Sequence, residues 1–126
     1  DFSKVIEIDP ENVEAYESRG NVLLGKGDFD KAIADFSKVI KLDPERSQTY
    51  NNRGNAYAHK GYQDRAIKDY TKAIQLNPED PCPYNGRAIA HFHKHHFKKA
   101  WSDVMACQNL KGKVDPPLLA ALRRAS

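Results

Sequence analysis

The sequence predicts an all-α solenoid of stacked helical hairpins closed by a C-terminal capping helix, and three observations carry that expectation. The chain matches itself at a period of 34 residues, since Asp9-Pro10-Glu11 recurs as Asp43-Pro44-Glu45 and as Asn77-Pro78-Glu79. Within a period, apolar residues recur at three and four, the spacing of one helix face. Each of the first two periods also holds two breaks, a glycine turn and an Asp/Asn-Pro step that disfavours helix for the residue before it. A lone hairpin cannot bury both of its faces, so stacking of neighbours must supply the core.

Taken in order, residues 1–10 match 35–44 at eight of ten places. Residues 1–12 therefore read as the end of a preceding repeat, a second helix without its partner. Phe2, Val5, Ile6 and Ile8 are then expected to leave apolar surface open. With no initiator Met and no cleavage signature, the chain reads as a fragment.

The first full unit spans 13–46, with helices expected over 13–26 and 29–42 around the turn at Gly27-Asp28. Ala32, Ile33, Phe36, Val39 and Ile40 give its second helix one buried stripe. The second unit, 47–80, shares 15 of 34 residues with the first, and the third, 81–114, shares nine with the second. Gly20, Gly54 and Ala88 fall at equivalent places, as do Ala32, Ala66 and Ala100. Small side chains there let the helices of a hairpin approach closely, while Tyr16, Tyr50 and Tyr84 fill wider gaps. The third unit departs from the pattern. His91 stands where Leu23 and Tyr57 sit, His95 replaces the turn glycines Gly27 and Gly61, and Lys111-Gly112 replaces Asn77-Pro78. In 115–126, Asp115-Pro116-Pro117 reads as an N-cap followed by prolines in the first turn, with Leu118, Leu119 and Leu122 as an apolar stripe. Arg123 and Arg124 suit its C-terminal dipole. This is the expected capping helix, and it suggests a natural C-terminus nearby.

Composition narrows the function classes. The chain has 126 residues, 40% hydrophobic and 29% charged, with seven Gly and seven Pro. Disordered and collagen-like classes are excluded, and no apolar run approaches the ~20 residues of a membrane span. The net charge of +3 is uneven: residues 1–63 carry nine basic and eleven acidic side chains, residues 64–126 eleven and six. The lysines alternate with aspartates and do not gather with stacking aromatics, so no nucleic-acid footprint is read. Cys82 and Cys107 form neither a close pair nor a metal spacing, and suit a reducing, cytoplasmic setting.

The period, the small/large alternation, and Tyr50-Asn51-Asn52-Arg53-Gly54-Asn55-Ala56-Tyr57 followed by Ala66-Ile67 and Asn77-Pro78 resemble the tetratricopeptide repeat (TPR) pattern over nearly the whole chain. The resemblance implies a right-handed superhelix whose first helices line a concave groove for a peptide or partner protein.

On those first helices sit Asn21, Asn51, Asn52, Asn55 and Asn85. An amide both donates and accepts, so a row of them can hold an extended backbone whatever its sequence; in resembling proteins an asparagine ladder does so. The expected groove is acidic toward Glu14 and Glu17 and more basic or His-rich toward His59 and His93. TPR domains that dock heat-shock chaperones clamp a terminal carboxylate with Lys and Arg beside Asn. Asn21 and Asn52 fit that pattern, but the basic members fall on Glu17, Cys82 and Gly86, so a chaperone tail is not the expected ligand.

Other candidates have structural explanations. Arg19, Arg53 and Arg87 recur at 34, as do Asp1, Asp35, Asp69 and Asp103. Guanidinium–carboxylate pairs, at offsets of 16 or 18, are favoured over ligand contacts. His91, His93, His95 and His96 crowd unit three, yet the turn expected near His95 and the lack of a spaced acid or thiol favour structural roles over metal. Cys107 aligns with Val39 and Ala73 as a small core residue. Gly20–Gly27 imitates a phosphate loop, but Gly27 stands where Ser or Thr would hold magnesium and no strand precedes it. No nucleophile, base and orienting acid recur together. The sequence therefore predicts a non-catalytic scaffold for a protein or peptide, without cofactor or metal. The alternatives are a solenoid that self-assembles through its N-terminal edge, or an accessory targeting module of a larger enzyme.

Overall fold

A computed structural model describes residues 2–125 of the chain. Among them, eight helices follow one another without a strand: α1 (Phe2–Ile8), α2 (Val13–Lys26), α3 (Phe29–Leu42), α4 (Ser47–His59), α5 (Gln63–Leu76), α6 (Cys82–His93), α7 (Phe97–Asn109) and α8 (Pro116–Ala125). Helices α2/α3, α4/α5 and α6/α7 pair as hairpins, and each second helix packs on the first helix of the next pair. Helix α1 lies on α2, and α8 covers α6 and α7. The result is an all-α repeat solenoid.

Local chemistry sets the helix ends. Asn12 caps α2, its side chain accepting the Ala15 N–H at 3.0 Å, which satisfies one of the donors a helix start leaves open. The turns after α2 and α4 use Gly27 and Gly61 at φ +84° and +81°. In unit three His95 takes the same left-handed conformation at φ +62° without being glycine, at a cost of roughly 1–2 kcal/mol. The hairpin therefore keeps its register despite the substitution.

Packing within the hairpins follows the small/large alternation. A Cβ on Gly20 would come within 2.7 Å of the Phe36 ring, and one on Gly54 within 2.9 Å of the Tyr70 ring. Phe36 is fully buried and Tyr70 nearly so. In unit three the small residue grows to Ala88 and the facing aromatic shrinks to Val104, both fully buried, so the helix spacing survives by compensation. One period further, Leu122 stands in the register of Gly20, Gly54 and Ala88, and it too is fully buried. Together with Leu118 it joins Ala88, Ala100 and Val104 in the last core cluster.

The arginine–aspartate pairs realise the offset of 16. Arg19, Arg53 and Arg87 each grip Asp35, Asp69 and Asp103 with two bonds of 2.7–2.8 Å. Each also donates from Nη1 to the hydroxyl 16 residues earlier, Ser3, Ser37 or Thr71. One guanidinium thus ties its own hairpin to the preceding helix. Asp1, the remaining member of the aspartate series, lies outside the described residues. On the outer turns Lys60 pairs with Asp30 and Lys94 with Asp64, linking successive hairpins. The phosphate-loop imitation at Gly20–Gly27 lies within α2 and its terminal turn.

Candidate functional site

A crevice of about 590 Å3 opens between α4 and α6. Helix α4 contributes Gln48, Asn51, Asn52, Asn55, Ala58 and His59, and α6 contributes Cys82, Asn85, Gly86, Ile89 and His93. Tyr70 of α5 and Cys107 of α7, both buried, form the floor, while Gln63, Pro81 and Lys113 complete the walls. Among the described residues, no aspartate or glutamate lines it.

Its depth depends on two residues that repeat matching alone does not single out. Gly86 stands in the register of Ser18 and Asn52, so α6 presents bare backbone where the preceding first helices carry side chains. Tyr70 stands in the register of Phe36 and adds a hydroxyl. A Cβ on Gly86 would lie 2.6 Å from Tyr70 Cζ and 2.9 Å from its oxygen. The tyrosine therefore reaches the groove through the gap and donates to Asn55 Oδ1 at 2.6 Å. Burial holds this phenol in its protonated form by raising its pKa. The coincidence of a glycine on α6 with a tyrosine on α5 was the available sequence signal.

Of the eight residues expected to form the groove, Asn51, Asn52, Asn55, His59, Asn85 and His93 line the crevice, and Asn21 and Glu17 do not. Asn55 and Asn85 have their carbonyl ends occupied, by Tyr70 and by the Asp115 N–H at 3.0 Å, which leaves their Nδ2 groups as donors. Asn52 is engaged at both ends, donating to Asn21 Oδ1 at 3.0 Å and accepting from Gln48 at 3.2 Å. Asn51 is 5% exposed, and its Oδ1 has no partner among the described residues.

At the expected acidic pole both glutamates meet Arg46. Glu17 is 8% exposed and held by Thr49 Oγ1 at 2.9 Å and Arg46 Nη2 at 2.5 Å, while Arg46 also takes Glu14 at 3.0 Å. Glu17 is thus neutralised between α2 and the segment leading into α4, while Glu14, its side chain 77% exposed, stays open to solvent beside Arg46.

The imidazoles divide between rim and core. His59 is exposed and stacks flat on Phe29, with ring centroids 4.9 Å apart, and His93 is exposed beside Phe92. His91 is buried against α7, with Nε2 3.9 Å from Asp103 Oδ2. Burial pushes its pKa down; Asp103 opposes this, but Arg87 already holds that carboxylate and adds repulsion, as do Lys99 and His96. Burial raises the pKa of both free thiols, Cys82 and Cys107. Among the described residues no three His, Cys, Asp or Glu side chains gather to hold a metal, and no helix is long and apolar enough to cross a membrane.

A family model described as tetratricopeptide repeat matches residues 3–43 and 17–81. No curated protein matches the chain in sequence. Among solved structures, the Arabidopsis OM64 TPR domain superposes with a TM-score of 0.87 at 24% identity, over 92% of this chain and 98% of that one. The first TPR of Spaghetti (RPAP3), solved with the HSP90 peptide SRMEEVD, gives 0.82 at 24%, over 92% and 91%. MamA from Desulfovibrio magneticus RS-1 gives 0.83 at 24%, over 87% of this chain; the match spans 62% of the solved MamA chain. These likenesses share the hairpin stack.

Proposed function

The chain belongs to the tetratricopeptide repeat family, and from that premise we propose that it is a non-catalytic interaction module holding an extended segment of a partner protein in the crevice between α4 and α6. One observation carries this reading. Asn55 and Asn85 face the same crevice with their acceptors internally occupied and their Nδ2 donors left over. Donors fixed on two helices suit the carbonyls of an extended backbone, which offers them at regular intervals. The reading moves the working rungs from Asn52 and Asn21, which bond each other, to Asn55 and Asn85.

The wall chemistry bears on the kind of segment. Among the described residues Lys113 is the only lysine or arginine lining the crevice, so a terminal carboxylate laid among the asparagines would lose hydration without a bidentate partner. An internal segment is favoured over a chain end.

The test uses Asn55→Asp with Asn85→Asp. Each change keeps the acceptor that Tyr70 or Asp115 needs and replaces the amide donor with a second carboxylate oxygen, which cannot donate and repels a peptide carbonyl. Twelve-residue peptides enriched from a randomised internal display library, synthesised with blocked ends, should bind the unaltered protein and lose about tenfold or more in affinity to the double variant, which loses two donors and gains two charges facing the peptide carbonyls. Unchanged helicity would show that the fold is intact. Equal binding by both proteins would overturn the ladder.

A second reading is favoured by α1. Phe2, Val5 and Ile8 are 40%, 39% and 77% exposed, whereas Phe36 and Val39, the register equivalents of Phe2 and Val5, are fully buried. We propose that α1 ends a preceding repeat, and that this face is where copies of the present chain associate when no other helix covers it. Light scattering over a concentration series should show association that Val5→Lys removes; a strictly monomeric protein would refute it.

A further inference from the structure

We infer that Asn51, whose Oδ1 the Pro81-Cys82-Pro83 segment leaves without an internal donor, is the residue that anchors the bound segment, through that segment's backbone amide. The inference rests on the groove reading above.

Glu17, Asn51 and Asn85 occupy one register, 34 residues apart, on α2, α4 and α6. The two outer members are satisfied by the chain that follows the next break. Glu17 takes the Thr49 hydroxyl and the Arg46 guanidinium, and Asn85 takes the Asp115 N–H. Shifted by one period, those three donors fall on residues 83, 80 and 81. Residue 83 is proline and has no hydroxyl. Residue 80 is aspartate, an acceptor whose Oδ1 already receives the Cys82 N–H at 3.0 Å. Residue 81 is again proline and has no N–H at all. Each device that serves the neighbouring register positions is missing for Asn51.

The outcome is visible in the structure. Asn51 is 95% buried, its Oδ1 accepts nothing among the described residues, and it lies in the wall of the crevice beside Pro81 and Cys82. A buried amide end without a partner is destabilising, and the terminal torsion of asparagine is broad enough to turn that end toward the groove. Asn55 lies one turn further along α4 and presents a donor. An extended segment can then give a carbonyl to Asn55 and an N–H to Asn51 from the one edge that faces α4. A bound segment would relieve an unsatisfied acceptor instead of competing with an internal bond.

Two substitutions return the missing donors. Pro81→Ala restores an N–H at a backbone already at φ −71° and ψ −22°, and Pro83→Thr restores the hydroxyl that Thr49 supplies one repeat earlier. The readouts are the melting temperature and, by calorimetry, the affinity for the blocked peptides selected above. Each variant should melt at or above the unaltered protein and bind the peptides about tenfold more weakly, the loss of one net hydrogen bond. Asn51→Leu, which removes the amide and keeps a buried apolar side chain, should weaken binding as much without lowering the melting temperature. Peptides that bind all three variants with unchanged affinity would overturn the Asn51 anchor and leave the Asn55/Asn85 ladder standing. Failure of the folded protein to enrich any peptide would overturn both.

Discussion

Replacing Arg53 with methionine should destabilise the protein strongly while leaving the peptide crevice in place. Arg53 holds Asp69 by two parallel bonds of 2.8 Å and donates a third, at 3.1 Å, to Ser37 on the preceding helix. Its two bonds to Asp69 raise its pKa, so it is charged at any pH that leaves the protein folded. The Asp69 side chain is 5% exposed and that of Arg53 is 20% exposed. Methionine fills much of the same volume but leaves the carboxylate buried without its counter-charge. Breaking a buried pair from one side costs about 3–5 kcal/mol. Water reaches the outer edge of this arginine, which places the expected value near the lower end, about 3 kcal/mol. For a chain of this length that corresponds to a fall in melting temperature of roughly 10–15 °C. Arg53→Lys should fall between the two, since it keeps the charge and loses the fork that spans both carboxylate oxygens. Thermal unfolding followed by circular dichroism, with peptide affinity measured below the transition, separates the effects. If Arg53→Met left the melting temperature unchanged and abolished peptide binding, the structural assignment of the three arginine–aspartate pairs would be wrong.

Gly86→Ala should close the floor of the crevice, because its Cβ would sit 2.6 Å from a tyrosine ring that is 2% exposed. Overpacking of this kind costs about 1–3 kcal/mol, partly offset by alanine's better helix propensity of about 1 kcal/mol. A small change in melting temperature with a large loss of peptide affinity is expected, and unchanged affinity would show that the Tyr70 floor is not used. His91→Leu, which installs the residue unit one carries at Leu23, should flatten stability against pH. His91 has a depressed pKa in the fold, so its neutral form is favoured there. Stability is full above the ordinary imidazole range and is lost as pH falls through that range toward the depressed value. Urea titrations at pH 7.5 and 5.5 should differ more for the unaltered protein than for the variant; equal differences would refute the burial argument.

The asparagine row shows how far sequence reading reaches into the site. Periodicity places Asn51, Asn55 and Asn85 on first helices, and the crevice does contain them. It cannot say which end of each amide is already spent. That depends on Tyr70 crossing a gap left by a glycine on another helix, and on the Asp115 N–H arriving from the segment before α8. Glu17 illustrates the opposite outcome: the same register position became part of an ion pair because Arg46 and Thr49 lie within reach.

From the sequence alone came the hairpin stack itself: a 34-residue period, glycine turns, Asp/Asn-Pro breaks and apolar faces that no isolated hairpin can bury. The period and the apolar faces persist in unit three, and the hairpin forms there although His95 takes the place of a turn glycine and Lys111-Gly112 that of Asn77-Pro78. The choice of the 16-residue ion-pair offset, the pairing of Glu17 with Arg46 and Thr49 and the unpartnered Oδ1 of Asn51 were decided only by the tertiary structure. Each of them turns on which side chains from different repeats come within about 3 Å, a distance fixed by how the hairpins stack and not by the spacing of residues along the chain.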